Sequence, residues 1–202
     1  FVESTLYEDE ELHAEIAWLR NNFMNNDQAL IHGDLHTGSI FINQLGVKII
    51  DPEFACYGPM GYDIGNVLAH LYFPLVLSLT DENTDTSFND WILISSKEIY
   101  NLVLEKMNIL YDEIVTNKLY KNESFKKSYL ANIMNDTLGY AGTEIIRRVV
   151  GDSKVKELSL IPEEKKVQAE RVLINFGVQL IKERKTITTG QDLVDALDRK
   201  ST

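Results

Sequence analysis

Apolar residues recur at helical spacing through most of the chain. Leu12, Ile16, Leu19 and Phe23 are three or four positions apart in an otherwise charged stretch, which predicts an amphipathic helix over residues 7–24. The same criterion, together with Asp63 as a possible helix cap and Pro162 with acidic neighbours as a helix start, predicts further helices. They cover residues 63–78, 88–119, 124–150, 162–185 and 191–197. The segment 81–87 is polar and is predicted to be a linker.

One short region has a different pattern. Residues 39–43 and 47–50 are rich in β-branched and apolar side chains, and Gln44, Leu45 and Gly46 lie between them. Two such runs joined by a short Gly-containing turn predict a β-hairpin. The expected fold class is therefore α+β but predominantly α, with one small hairpin near the start of a single domain that spans residues 1–202.

Composition narrows the possible partners. The 202 residues are 44% hydrophobic, which is enough for one buried core, and carry a net charge of −11. That charge disfavours nucleic acids and phospholipid surfaces as partners. The run Val67–Leu79 contains His70 and Pro74 and is too short and polar to span a membrane. A single cysteine, Cys56, excludes an intrachain disulfide, favours a cytoplasmic location and is predicted to be a small buried filler.

Two polar clusters flank the predicted hairpin: His32-Gly33-Asp34-Leu35-His36 before it and Asp51-Pro52-Glu53 after it. Because a hairpin folds back on itself, Asp34, Asp51 and Glu53 are expected to converge on one rim. If residues 51–53 are extended, the two acids at positions i and i+2 point the same way. Their repulsion would favour a bound cation, and Mg²⁺ prefers such oxygen ligands. A third carboxylate, Asp34, could then accept a proton from a substrate hydroxyl.

This arrangement is typical of phosphoryl transfer. The catalytic loop of the aminoglycoside phosphotransferase and choline kinase superfamily resembles His32-Gly33-Asp34, and its metal-binding segment resembles Asp51-Pro52-Glu53. The longer strings HGDLHTGS (32–39), DPEFA (51–55), YGPMGYDIGN (57–66) and EIIRRVVG (144–151) closely resemble the S-methyl-5-thioribose kinase family. Many members of the superfamily carry Asn where this chain has Ser39, which makes an aminoglycoside or choline acceptor less favoured.

The resemblance implies a fold and a reaction. The fold would be the C-terminal lobe of a protein-kinase-like enzyme, with the hairpin carrying the catalytic and metal loops. The reaction would transfer the γ-phosphate of ATP to the 1-hydroxyl of 5-methylthioribose, in methionine salvage. Mg²⁺ and ATP would be the cofactor and co-substrate, and a homodimer is possible.

The resemblance also implies residue roles. Asp34 would be the catalytic base and would help to hold the nucleotide, while Asp51 and Glu53 would be the Mg²⁺ ligands. Arg147 and Arg148 would act near the thioribose and the transferring phosphate, and adjacent helix positions point about 100° apart, so one could bind while the other anchors. His36 would contact the phosphate or only support Asp34.

The remaining candidate residues are predicted to have structural roles or no role. His32 is predicted to brace the catalytic loop, and Asp63 to cap a helix or anchor a buried loop. No role is predicted for His70.

The chain contains no G-x-G-x-x-G motif and no β-rich segment large enough for an N-terminal kinase lobe. The resemblance places residues 1–202 after the hinge between the lobes. The N-terminal nucleotide-binding lobe is therefore expected to be absent from this chain, and the chain alone is expected to be inactive.

Three alternatives stay open at this point. Another small-alcohol or sugar kinase of the same superfamily would share these motifs, and a catalytically inactive pseudokinase would share the fold. Alternatively, His32, Asp34 and His36 could lie on one face of a strand as ligands of a metal-dependent hydrolase.

Overall fold

The computed structural model describes residues 1–81, 84 and 86–201 and confirms a predominantly helical α+β fold. The helices in this part of the chain are α1 (Glu10–Asn25), α2 (Gly61–Leu79), α3 (Thr86–Ile114), α4 (Glu123–Val150), α5 (Lys156–Leu160), α6 (Glu163–Glu183) and α7 (Gly190–Ser201). The strands are β1 (Ala29–Ile31), β2 (Ile40–Asn43), β3 (Gly46–Ile49) and β4 (Cys56–Gly58).

The first helix begins slightly later than the hydrophobic spacing predicts. Asp9 has an extended backbone, and its side chain accepts a hydrogen bond from the Leu12 amide at 2.9 Å, so it acts as the N-cap. A separate π-helical turn, Glu3–Tyr7, precedes it. Leu12 and Leu19 are buried, as expected for the apolar face of an amphipathic helix.

The strands form two separate antiparallel pairs. Strands β2 and β3 pair from Ile40–Ile49 to Asn43–Gly46, which confirms the predicted hairpin with a two-residue turn. Strands β1 and β4 form a second pair that the hydrophobic pattern did not predict, with Ile31 opposite Cys56. Because β1 and β4 flank residues 32–55, this second pair closes the base of the segment that carries both polar clusters.

Helix α4 lies at the centre of the helical core, with α2 and α6 packed against it. Its crossing with α6 requires backbone contact, because a Cβ atom on Gly142 would lie 2.4 Å from the carbonyl oxygen of Gly177. Large side chains such as Tyr72 of α2 and Phe176 of α6 fill the adjoining core. This packing fixes α2 and α4 relative to each other, and both helices contribute to the site described below.

Other boundaries differ modestly from those predicted. Helix α3 ends at Ile114 rather than near residue 119, because the Asn117 side chain accepts from the Leu119 amide and stabilises a turn instead. Pro162 is the residue just before α6, and the short helix α5 was not predicted. The predicted linker is shorter, since α3 begins at Thr86; residues 82, 83 and 85 lie outside the described part.

Candidate active site

The loop between β1 and β2 is anchored by the first turn of α2. The Asp63 carboxylate accepts hydrogen bonds from the backbone amides of His32 at 2.5 Å and Gly33 at 3.0 Å. Asp63 is therefore a loop anchor rather than a helix cap, since α2 already begins at Gly61. Two amide bonds to one carboxylate fix the direction in which the chain enters the polar cluster.

Gly33 gives this loop its shape. Its φ of +86° lies in the region that favours glycine, and a Cβ atom there would approach the carbonyl oxygen of Phe54 to 2.3 Å. The His32 ring donates through Nε2 to the carbonyl of Ile50 at 2.8 Å, which agrees with its predicted bracing role. The strand β1 ends at Ile31, so the strand face required by the hydrolase alternative is not formed.

The acidic segment after the hairpin lies beside this loop, although it is not extended as expected. Asp51 has φ 60° and ψ 51°, and Pro52–Phe54 form a 3-10 turn. The residue before a proline avoids the right-handed helical region, and Asp tolerates the left-handed one. The condition under which Asp51 and Glu53 would point the same way, an extended segment, is therefore not met. Both residues are exposed.

The hydrogen bonds from His32 to Ile50 and from the Ile50 amide to Ser39 place the backbone of the two clusters side by side. Within the described residues, no group of three or more His, Cys, Asp or Glu side chains is arranged to hold a metal ion. Convergence of Asp34 with Asp51 and Glu53 on one cation stays a prediction. The two exposed carboxylates are suitable donors for Mg²⁺, which commonly takes one or two protein carboxylates and completes its shell with phosphate and water.

Asp34 has a different set of neighbours. Its Oδ2 atom lies 3.8 Å from Nε2 of His36, and its Oδ1 atom lies 3.6 Å from Nη2 of Arg148. The side chain is one-third exposed, at 33%, so solvent or a ligand can still reach it. The site thus brings together the predicted base Asp34, the predicted arginine Arg148 and His36.

The protonation of His36 follows from its contacts. Burial lowers the pKa of the His36 ring, and the electrostatic influence of the neighbouring His70 and Arg148 side chains lowers it further, against the opposite effect of Asp34. Nδ1 accepts a hydrogen bond from the Gly38 amide at 3.1 Å. In the neutral ring the proton is therefore on Nε2, the atom that faces Asp34 and Ser39.

The two predicted arginines share one carboxylate, Glu144. Its Oε1 atom accepts from Nε of Arg148 at 2.7 Å, and its Oε2 atom accepts from Nε of Arg147 at 2.8 Å. Arg148 is 13% exposed, whereas Arg147 is 50% exposed. Their helical spacing thus separates an inward-facing from an outward-facing arginine.

Glu144 itself is buried, at 4% exposure, and accepts a further hydrogen bond from Nε2 of His70 at 3.0 Å. Burial raises the pKa of Glu144, but the hydrogen bonds from His70 and Arg148 and the charges of the two arginines outweigh it and lower the pKa to about 2. Because Glu144 is ionised at neutral pH, the bond from His70 is donated by an N–H group.

His70 and Glu144 are the site residues that the sequence analysis missed. The His70 ring stacks on His36 with centroids 5.0 Å apart, so that five side chains form a closed ring of contacts. In order, the ring is Asp34, Arg148, Glu144, His70 and His36. The spacing of Glu144 to Arg147 and Arg148, at i+3 and i+4, was a visible signal of this pairing.

Cys56 is also placed differently from its prediction. Its thiol is free and exposed rather than buried. Cys56 is the first residue of β4, opposite Ile31 of β1, and within β4 only Gly58 is buried.

In the parts of the chain that the structure describes, no helix combines the length and apolar character needed to cross a membrane.

Comparison with known proteins identifies the relatives of this chain. Residues 2–91 match the phosphotransferase enzyme family (APH). Methylthioribose kinase 1 of Oryza sativa subsp. japonica is 35% identical over 203 residues, covering 93% of this chain and 47% of the relative. The methylthioribose kinase of Exiguobacterium sibiricum is 35% identical with the same coverage, and that of Bacillus cereus is 36% identical over 88% of this chain and 44% of the relative. The chain thus spans about half the length of the curated relatives it matches. Residues 2–91 are therefore similar to the phosphotransferase enzyme family, within a chain that is similar to methylthioribose kinases along most of its length.

Proposed function

We propose that the protein is an ATP-dependent kinase that transfers the γ-phosphate of ATP to the 1-hydroxyl of 5-methylthioribose, a step of methionine salvage. The observation that carries this proposal is the position of Asp34. Its carboxylate is partly exposed on an anchored loop and lies between His36 and Arg148, in a chain related to methylthioribose kinases.

Asp34 is proposed to accept the proton of the acceptor hydroxyl as that oxygen attacks the γ-phosphorus. A carboxylate must be ionised and within hydrogen-bond reach of the hydroxyl to do this. The Arg148 guanidinium faces this carboxylate, with Nη2 3.6 Å from Oδ1 of Asp34. His36, with its Nε2–H group toward Oδ2, limits how the Asp34 carboxylate can rotate.

Arg147 is proposed to bind the phosphate or the thioribose, and Arg148 to orient Asp34. The difference in exposure supports this division, since Arg147 is half exposed and Arg148 is largely enclosed. A guanidinium can donate two bonds at once to phosphate oxygens, so an exposed arginine beside the base is well suited to the transferring group.

Asp51 and Glu53 are proposed to hold Mg²⁺ together with phosphate oxygens of the nucleotide. When bound, the ion would neutralise charge on the phosphates. These two carboxylates are exposed on the turn that follows the hairpin and have the oxygen donors that Mg²⁺ prefers. The homodimer implied by the resemblance and the cytoplasmic location favoured by the single cysteine stay predictions.

A panel of acceptors tests the assignment. The full-length protein would be incubated with Mg²⁺–ATP and 5-methylthioribose, ribose or choline, and ADP release and phosphorylated product would be measured for each. Rapid turnover of methylthioribose alone is expected. Turnover of choline or another alcohol would keep the kinase class and discard the acceptor, and absence of transfer to every acceptor would favour the pseudokinase alternative.

A further inference from the structure

Glu144 lies within the site, but its side chain is enclosed by protein and does not face solvent. It is 4% exposed, and its two oxygens receive donors from His70 of α2 and from both arginines of α4. A carboxylate with this many protein donors has little capacity left for a metal or a substrate. Any effect of Glu144 on the reaction must therefore act through the groups that it binds.

Each of the three nitrogen atoms of the Arg148 guanidinium has a protein neighbour. Nε binds Glu144 at 2.7 Å, Nη1 donates to the carbonyl of Ser153 at 3.2 Å, and Nη2 faces Asp34. The planar guanidinium has a fixed fork of donors, so fixing Nε also fixes the direction of Nη2. The rotamer of Glu144 consequently determines where the Asp34 end of Arg148 lies.

His70 in turn limits the rotamers of Glu144. His70 donates through Nε2 to the Oε1 atom of Glu144, which also accepts the hydrogen bond from Arg148, and its ring stacks on His36. It comes from a different helix, so that it ties the α4 carboxylate to α2 and to the loop of Asp34. A side chain that is hydrogen-bonded to two secondary-structure elements has few accessible rotamers, so the geometry of the site is fixed.

We propose that Glu144, held by His70, is the positioning residue that aims Arg148 at Asp34 and keeps Arg147 at the open side of the site. This inference rests on the proposed kinase function. It gives Glu144 and His70 a role in that function, although neither residue would contact ATP or the acceptor. Glu144→Gln, which keeps the shape but removes the charge, is expected to lower kcat about 10²-fold. KM for ATP should change less than about threefold, since Asp51 and Glu53, which are proposed to hold the Mg²⁺–nucleotide, lie outside the ring of five side chains.

The role of His70 can be separated from its packing. His70→Phe keeps an aromatic ring against His36 but removes the hydrogen bond to Glu144, whereas His70→Gln can restore an N–H donor. We expect kcat to fall in His70→Phe and to recover in part in His70→Gln. Equal kcat in the two variants would show that the ring contact alone matters and would contradict the assignment of the bond.

A double-mutant cycle distinguishes positioning from a general effect on folding. If Glu144 acts through Arg148, adding Arg148→Lys to Glu144→Gln should cost little beyond the larger single effect, because coupled residues are not additive. Glu15→Gln is the matched control, since Glu15 pairs with the buried Arg184 in a separate ion cluster. It should lower thermal stability, leave kcat within about twofold of wild type and add independently to Arg148→Lys.

The position of Arg148 is also measurable without substrate. In NMR spectra of the full-length protein at pH 7, its Nε–H signal should be protected from solvent exchange in the wild type and in Glu15→Gln, and lost in Glu144→Gln. Failure of methylthioribose phosphorylation by the wild type would overturn the proposed function, and these spectra would then decide the positioning claim. An unchanged Arg148 signal in Glu144→Gln, or an additive cycle in an active enzyme, would overturn the inference.

Discussion

The guanidinium of Arg148 faces the carboxylate of Asp34, with Nη2 of the arginine 3.6 Å from Oδ1 of the aspartate. One residue belongs to the last turn of α4 and the other to the loop after β1, which are far apart in the sequence. The contact is possible because α2 packs against α4 and also anchors that loop through Asp63. Helix packing and site geometry are therefore coupled at this point.

Arg147→Ala and Arg148→Ala should differ in their cost to stability. Removing Arg148 deprives the buried Glu144 of an enclosed partner, and breaking a buried pair costs about 3 kcal/mol. Removing the half-exposed Arg147 should cost less than about 1 kcal/mol. Urea unfolding at pH 7 measures both, and equal costs would contradict the division into an inward-facing and an outward-facing arginine.

Glu144 should make the protein sensitive to acid. Its pKa is lowered in the folded state from an ordinary 4.5 to about 2, so its contribution is fully present above pH 4.5 and is lost as the pH falls toward 2. The unfolding free energy of the wild type minus that of Glu144→Gln should therefore shrink by about 3 kcal/mol over this range. Urea unfolding at pH 7, 4 and 3 would show about two-thirds of this loss, and a difference that stays constant with pH would contradict the assignment.

Gly33→Ala and Gly46→Ala form a matched pair. Both glycines have positive φ, 86° at Gly33 and 148° at Gly46, which L side chains rarely adopt, so both variants are expected to lose stability. Only at Gly33 would the new Cβ atom meet backbone, the carbonyl of Phe54, whereas nothing lies within 4 Å at Gly46. We expect Gly33→Ala to be less stable than Gly46→Ala by a further 1–3 kcal/mol or so. Similar melting temperatures for the two variants would show that the loop of Asp34 does not press against residue 54.

Cys56 should react readily in the native protein, because its thiol is exposed. Peptide mapping after treatment with a thiol-specific reagent is expected to find the label on Cys56 without denaturant, and the Cys56→Ser variant should lose that labelled peptide. A requirement for urea before labelling would contradict the exposed position.

Local patterns predicted most of the fold. Helical spacing located the main helices, and the β-branched runs around Gln44 and Leu45 located the hairpin, because both signals lie within a few neighbouring residues. The β1–β4 pair was missed because three-residue strands carry too little periodicity. The turn at Asp51 has no local signature, because the residue before a proline is ordinarily extended and a single residue in the left-handed region leaves no periodic pattern.

The site was predictable only in part. The resemblance of the motifs singled out Asp34, Arg147 and Arg148, but not the partners that orient them. His70 was invisible as a site residue because its role depends on the packing of α2 against α4. Such contacts between distant segments have no local signature, so the histidine looked like one polar residue in an apolar helix.

The measurement that tests the central claim most directly is methylthioribose phosphorylation by full-length Asp34→Asn beside the wild type. The substitution keeps the shape of the side chain but removes the proton acceptor, so kcat should fall by about 10²–10⁴-fold. Asp112→Asn, the same change at an exposed partner of Lys126, should keep wild-type activity. Wild-type turnover that disappears only in Asp34→Asn is the predicted result, and an Asp34→Asn enzyme with kcat within tenfold of wild type would contradict the assignment of Asp34 as the base.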